Sequence, residues 1–115
     1  MINWHSLHSL EQIEAIIEDS HKKPCIIFKH STSCGVSGFV QMRLEEDWDF
    51  SEETLSPFFL DVIVNRNIAR LVAERFNVHH ESPQLLLIRN GECTYDASHL
   101  DITVKELHEC FYDTF

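Results

Sequence analysis

The chain has 115 residues and a formal net charge of −10 at pH 7, and 43% of its residues are hydrophobic. This length and composition fit one globular domain spanning residues 1–115. The acidic balance argues against a nucleic-acid partner, which needs a basic face. No apolar run reaches the roughly 18 residues of a membrane span, and the N-terminus lacks the features of a signal peptide. We therefore expect a cytoplasmic protein without nucleic-acid or membrane partners.

In the first half of the chain, helical patterns alternate with a short apolar run. Residues 9–12 form a capping box that opens a helix, which we expect to end near His21. The continuous apolar run at residues 25–28 is typical of a strand buried on both faces. A second helix is then indicated by an apolar stripe at helical spacing, formed by Val36, Phe39, Val40 and Leu44.

The second half of the chain adds a strand, a helix and a hairpin. Residues 57–62 read as a second buried strand, and a third helix follows it. Residues 84–88 form a third strand that leads into an Asn-Gly pair at residues 90–91. Because both positions of such a turn tolerate positive φ, the pair predicts a hairpin that returns through residues 92–95.

A final helix, capped by Thr103, completes the order α-β-α-β-α-β-β-α. A strand-helix-strand crossover forces parallel pairing, whereas a two-residue turn forces antiparallel pairing. The order therefore predicts an α/β fold with a four-stranded mixed sheet flanked by helices, including an extra N-terminal helix. With a cysteine at the first strand-to-helix junction, this is the thioredoxin-like architecture.

The four cysteines differ in their surroundings. Cys25 lies in an apolar run, Cys93 in a predicted strand and Cys110 on the apolar side of the last helix, so we expect all three in the core. No Cys-x-x-Cys spacing occurs, which argues against disulfides and against a structural zinc site. Cys34 alone lies among small, polar and glycine residues, in the stretch KHSTSCGVSG.

Cys34 is predicted at the start of the second helix, where unpaired backbone N–H groups favour an anion. A helix N-terminus stabilises the thiolate, which is the nucleophile of disulfide exchange. Cys34 is therefore the candidate catalytic residue. The residues expected to bind substrate around it contribute two bases, three hydroxyls and a glycine that allows close backbone approach, and they are Lys29, His30, Ser31, Thr32, Ser33 and Gly35.

Ser82 and Pro83 precede the third predicted strand and form a second candidate element of the site. In thioredoxin-like folds a proline at this position is usually cis and faces the cysteine loop. The backbone N–H and C=O of Ser82 would then bind the peptide-like part of a substrate by adding it as a short strand.

Three segments resemble the YtxJ family of the bacillithiol system: FKHSTSCGVS, RFNVHHESPQLLLIRNGE and the ASH at residues 97–99. These are small thioredoxin-like monothiol proteins, also called bacilliredoxin-like, and the likeness spans nearly the whole chain. The resemblance implies that Cys34 reduces mixed disulfides between protein cysteines and bacillithiol. Bacillithiol would serve as the thiol co-substrate without any other cofactor, and the partners would be thiolated client proteins.

One residue departs from the family pattern. Proline often follows the family's cysteine, whereas Gly35 stands here, within the tetrad CGVS. This tetrad is similar to the CGFS of monothiol glutaredoxins, some of which bind iron–sulfur clusters with glutathione.

Three functions therefore stay open at the level of sequence. The first is a monothiol thiol–disulfide oxidoreductase, acting as a monomer or weak homodimer. The second is a binding module in which Cys34 helps to hold an iron–sulfur cluster shared within a dimer. The third is a non-catalytic thioredoxin-like domain that binds a partner through the Pro83 edge, with Cys34 as a small residue at a helix start.

Overall fold

A central sheet separates two pairs of helices in the computed structural model, which describes residues 2–112. The strands are β1 (His5–Ser6), β2 (Cys25–His30), β3 (Ser56–Asp61), β4 (Gln84–Arg89) and β5 (Glu92–Ser98). The helices are α1 (Leu10–Asp19), α2 (Gly35–Asp47), α3 (Arg66–Phe76) and α4 (Val104–Tyr112), with a 3₁₀ turn at His99–Asp101. This order confirms the predicted thioredoxin-like fold class.

The sheet has five strands in the order β1-β3-β2-β4-β5, so the predicted count of four was wrong. The additional strand, β1, pairs in parallel with β3 through His5 and Ser6. β2 and β3 are parallel, whereas β4 is antiparallel to both β2 and β5. Two exposed polar residues carry no strand pattern, and β1 forms because β3 offers it a free edge.

Two hydrophobic cores lie on opposite faces of the sheet. Alternation along β2 sends Ile26 and Phe28 to the face covered by α2 and α4, and Cys25 and Ile27 to the face covered by α1 and α3. All four of these side chains are buried. β2 therefore has a hydrophobic core against each face, as its continuous apolar run predicts.

Local signals in the sequence fix several boundaries. At the start of α1, the Ser9 hydroxyl accepts from the Gln12 N–H and the Gln12 side chain accepts from the Ser9 N–H, which confirms the capping box. The Asn-Gly turn joins β4 to β5, with φ of 54° at Asn90 and 79° at Gly91. β5 continues to Ser98, beyond the predicted end of the hairpin.

The apolar stripe predicted for α2 was only half right. Val40 and Leu44 are buried, whereas Val36 and Phe39, nearer the start of the helix, are exposed. Ser37 takes the buried position one turn before Val40. A polar residue suits that position, because the Ser37 hydroxyl lies within hydrogen-bond distance of the Ser31 N–H and of His30 Nδ1.

Candidate active site

Cys34 is the N-cap residue of α2, at the first strand-to-helix junction, as predicted. Its N–H donates to the Ser31 carbonyl (3.1 Å), and its own carbonyl accepts from the N–H groups of Ser37 (3.1 Å) and Gly38 (3.4 Å). The first turn of α2 contains no acidic residue, and the Cys34 side chain makes no capping hydrogen bond. The half-exposed Cys34 thus lies at the positive end of a 13-residue helix, beside backbone N–H groups that have no partner within the helix.

The loop of residues 31–34, called here the Cys34 loop, is held by a buried polar cluster. The Ser37 hydroxyl accepts from the Ser31 N–H (3.0 Å) and lies 3.1 Å from His30 Nδ1. All three residues are buried. Burial lowers the pKa of His30 below its ordinary value despite the nearby acids Asp61 and Glu45. A neutral His30 therefore helps to hold the Cys34 loop through its contact with the Ser37 hydroxyl.

Replacing Ser37 with alanine is expected to destabilise the protein by about 1–3 kcal/mol, because it leaves the buried Ser31 N–H and His30 Nδ1 without their shared partner. Ser33→Ala is the matched control, since Ser33 is exposed and its hydroxyl pairs with the Ser31 hydroxyl (3.0 Å). Urea unfolding of both variants measures the difference. Equal stability of the two variants would show that the cluster does not hold the loop.

The predicted substrate-binding residues divide into exposed and buried groups. Thr32, Ser33 and Gly35 are exposed around Cys34, and apart from its chain neighbours and its own helix backbone a Cβ added at Gly35 would meet nothing within 4 Å. These three positions are open to a substrate. His30 and Ser31 are buried and instead shape the loop.

Lys29 differs most from its predicted role beside the substrate. Its side chain is 0% exposed and projects toward the face covered by α1 and α3, and its Nζ lies 3.1 Å from His80 Nδ1. Burial lowers the pKa of Lys29 to about 8, although Cys93, Glu81 and Asp96 favour its charged form. This ammonium is not in direct reach of a substrate at the surface.

Ser82 and Pro83 lie at the same edge of the sheet as the Cys34 loop. The peptide bond between them is cis, which confirms the predicted isomer. β4 begins opposite Lys29 and runs antiparallel to β2, so the segment before β4 adjoins the end of β2. The Pro83 carbonyl accepts from the His99 N–H at 2.9 Å. Docking of a substrate on the Ser82 backbone stays a prediction.

The other cysteines are less uniformly buried than predicted. Cys25 is buried, whereas Cys93 and Cys110 are half-buried. Cys93 lies on β5, an edge strand, and Cys110 lies on α4, which packs against the sheet with only one of its faces. Desolvation raises the pKa of both Cys25 and Cys93 to about 11. These two thiols are poor nucleophiles near neutral pH.

Brief alkylation of the native protein should therefore label Cys34 well before Cys25 and Cys93. At pH 8 a thiol with a pKa near 11 is a thiolate in only about one molecule in a thousand. Peptide mapping after a short iodoacetamide pulse gives the order, and the same pulse in denaturant should label all sites alike. Labelling of Cys93 as fast as Cys34 would contradict this assignment.

Sequence reasoning did not assign roles to His80 or Arg66. In the sequence His80 stands out only because it adjoins His79. Its position three residues before the predicted cis proline was the one signal that could have placed it near the site.

Within residues 2–112 no group of three or more histidine, cysteine or acidic side chains could hold a metal ion. No helix in that same part of the chain is long and apolar enough to cross a membrane.

Comparisons with known proteins agree with this geometry. A thioredoxin-fold protein provisionally assigned as an oxidoreductase is 30% identical, with a TM-score of 0.78 over 91% of this chain and 90% of that one. Thioredoxins from Malassezia sympodialis (17% identity, TM-score 0.74, 96% and 90% coverage) and Trypanosoma brucei brucei (15%, 0.75, 96% and 89%) share the fold.

A family model described as monothiol bacilliredoxin BrxC matches residues 5–107. The resemblance found in the sequence is thereby confirmed at the level of bacilliredoxins, whereas the narrower name YtxJ is not part of the match. Family and fold together support a thiol redox role. The chain belongs to the family of monothiol bacilliredoxins.

Proposed function

We propose that this protein is a monothiol oxidoreductase that removes a low-molecular-weight thiol, bacillithiol, from thiolated client proteins. The observation that carries the proposal is the position of Cys34, half-exposed at the N-cap of α2 with no acid in the first turn. The bacilliredoxin family match supports the same chemistry and the same thiol.

In the first step, the Cys34 thiolate attacks the bacillithiol sulfur of the mixed disulfide. A disulfide forms between Cys34 and bacillithiol while the bond to the client sulfur breaks, and the client leaves as a thiolate that takes up a proton. The helix N-terminus stabilises the attacking anion, and the exposed Thr32, Ser33 and Gly35 leave room for the incoming disulfide.

In the second step, another low-molecular-weight thiol loses its proton and attacks the same sulfur. Cys34 leaves as a thiolate, and the symmetric disulfide of the small thiol is released. The client sulfur is reduced and the second thiol is oxidised, so the electrons balance. A monothiol route fits the chain, because Cys25 and Cys93 have raised pKa values that make them poor resolving thiols.

The direct test is transfer of the small thiol to the protein. Incubation with a bacillithiolated client, in the absence of free thiol, should add the mass of one bacillithiol to the intact protein, and peptide mapping should place it on Cys34. Free thiol should then restore the original mass. Failure of Cys34 to take up the thiol, together with a brown colour after anaerobic purification, would instead favour the iron–sulfur binding module.

A further inference from the structure

A surface cavity of about 460 Å³ lies between α3 and the segment that precedes β4. Its floor is apolar and is formed by Val62, Ile63, Ala69 and Ala73. The volume falls within the range of small-ligand sites, which commonly combine an apolar lining with a few polar groups.

Two guanidinium groups, those of Arg66 and Arg70, lie at this cavity, on a chain whose net charge is −10. Arg66 opens α3 and forms no ion pair with any residue between 2 and 112. Arg70 is paired with Glu74 at 3.7 Å, so the one carboxylate at the cavity already has a partner. An unpaired guanidinium at a helix N-terminus is well placed to bind a carboxylate.

His80, which also lines the cavity, is fixed in one tautomer by the buried Lys29. The Lys29 ammonium can only donate, so at 3.1 Å its partner His80 Nδ1 must accept. The proton of a neutral imidazole then lies on Nε2, where it can donate to an anion. Burial and Lys29 both lower the pKa of His80, which keeps the ring neutral.

The cavity lies at the end of the sheet where β2 leads into the Cys34 loop. Val62 follows β3 and its N–H donates to the His30 carbonyl at 3.0 Å. His80 precedes β4. Because β2 lies between β3 and β4 in the sheet, a cavity lined by both residues lies at the same end of the sheet as the Cys34 loop.

We propose that this cavity binds a carboxylate-bearing portion of the low-molecular-weight thiol, with Arg66 and His80 as its donors and the apolar floor against its carbon skeleton. The inference rests on the proposed function for the identity of the ligand. According to this inference, Arg66 and His80, which lie far along the chain from Cys34, determine which small thiols the protein prefers.

The test compares one client protein thiolated either with mercaptosuccinate, which carries two carboxylates, or with neutral 2-mercaptoethanol. Arg66→Gln should lower kcat/KM about tenfold for the mercaptosuccinate client and leave the other client unchanged. Ala73→Phe, which fills the cavity, should show the same selective loss.

Arg75→Gln is the matched control, since it removes the same charge from the same helix but faces Glu14, away from the cavity. It should keep the wild-type preference. Equal losses of kcat/KM in the Arg66 and Arg75 variants would show only a general attraction between charges and would overturn the proposal. The absence of any loss in both variants would overturn it as well.

A binding measurement separates this inference from the proposed function. Succinate, which has no thiol, should shift the amide resonances of Ala69 and Ala73 in the wild type but not in Arg66→Gln. Such shifts in a protein that reduces neither client would uphold the cavity and refute the oxidoreductase. Absence of these shifts in the wild type would refute the cavity, whatever the activity.

Discussion

Replacing Cys34 with serine is expected to lower the rate of client dethiolation by at least about a thousandfold, because a serine hydroxyl does not ionise near neutral pH and cannot form the mixed disulfide. The measurement is release of bacillithiol from a thiolated client. Cys93→Ser is the matched control, and its rate should stay within about twofold of the wild type.

The loss in the Cys34→Ser variant should be chemical and not structural. The Cys34 side chain makes no capping hydrogen bond and is only half-buried, so serine should change the melting temperature little. Substantial activity in this variant would remove Cys34 from the mechanism. A large fall in melting temperature would mean that the residue acts mainly in holding the helix start.

Replacing the buried Lys29 with methionine is expected to stabilise the protein at pH 7. Burial holds the pKa of Lys29 near 8 against an ordinary value of 10.5, which corresponds to a cost of about 3 kcal/mol while the amine is charged. Methionine has a similar shape and no charge. Part of the gain is offset by the lost contact to His80, so we expect about 2 kcal/mol and a melting temperature higher by about 10 °C.

The stability difference between Lys29→Met and the wild type should depend on pH. Between pH 8 and 10.5 the unfolded chain binds more protons at Lys29 than the folded chain, so the wild type gains stability as the pH rises through this window. The advantage of Lys29→Met should therefore be steady between about pH 7 and 8. It should then fall by about 3 kcal/mol toward pH 10.5, so that the wild type becomes the more stable protein at the upper end of this window. The raised pKa values of Cys25 and Cys93 destabilise both proteins above about pH 9 and largely cancel in the difference.

Urea unfolding at pH 7, 8.5 and 10 measures this difference. Lys22→Met is the control, because Lys22 is exposed and its replacement should change stability by less than about 0.5 kcal/mol at each pH. Lower stability of Lys29→Met at pH 7 would show that the contact between Lys29 and His80 outweighs the cost of burying the charge.

The sequence allowed the order of the main elements and the position of Cys34 to be predicted, because these depend on local signals. A capping box, an Asn-Gly turn and continuous apolar runs act within a few residues of one another. The cysteine at the junction between β2 and α2 follows from that order. The cis bond before Pro83 was expected from its place in the topology.

The features that were missed depend on distant neighbours. The β1 strand exists because β3 presents a free edge, which the residues of β1 do not encode. Lys29 is buried because strands lie on both sides of β2, and its partner His80 is 51 residues away. A lone lysine at the end of an apolar run is ordinarily expected at the surface, so only the assembled sheet reveals this pair.

The open space around Gly35 bears on how this family varies. Gly35 is the first residue of α2, a position that suits proline because no hydrogen bond within the helix needs its N–H. A Cβ there would meet nothing within 4 Å apart from its chain neighbours and its own helix backbone. Glycine and proline can therefore both occupy this position without a change in the scaffold. Such an exchange would adjust how closely a partner disulfide approaches the sulfur, while the fold beneath it stays the same.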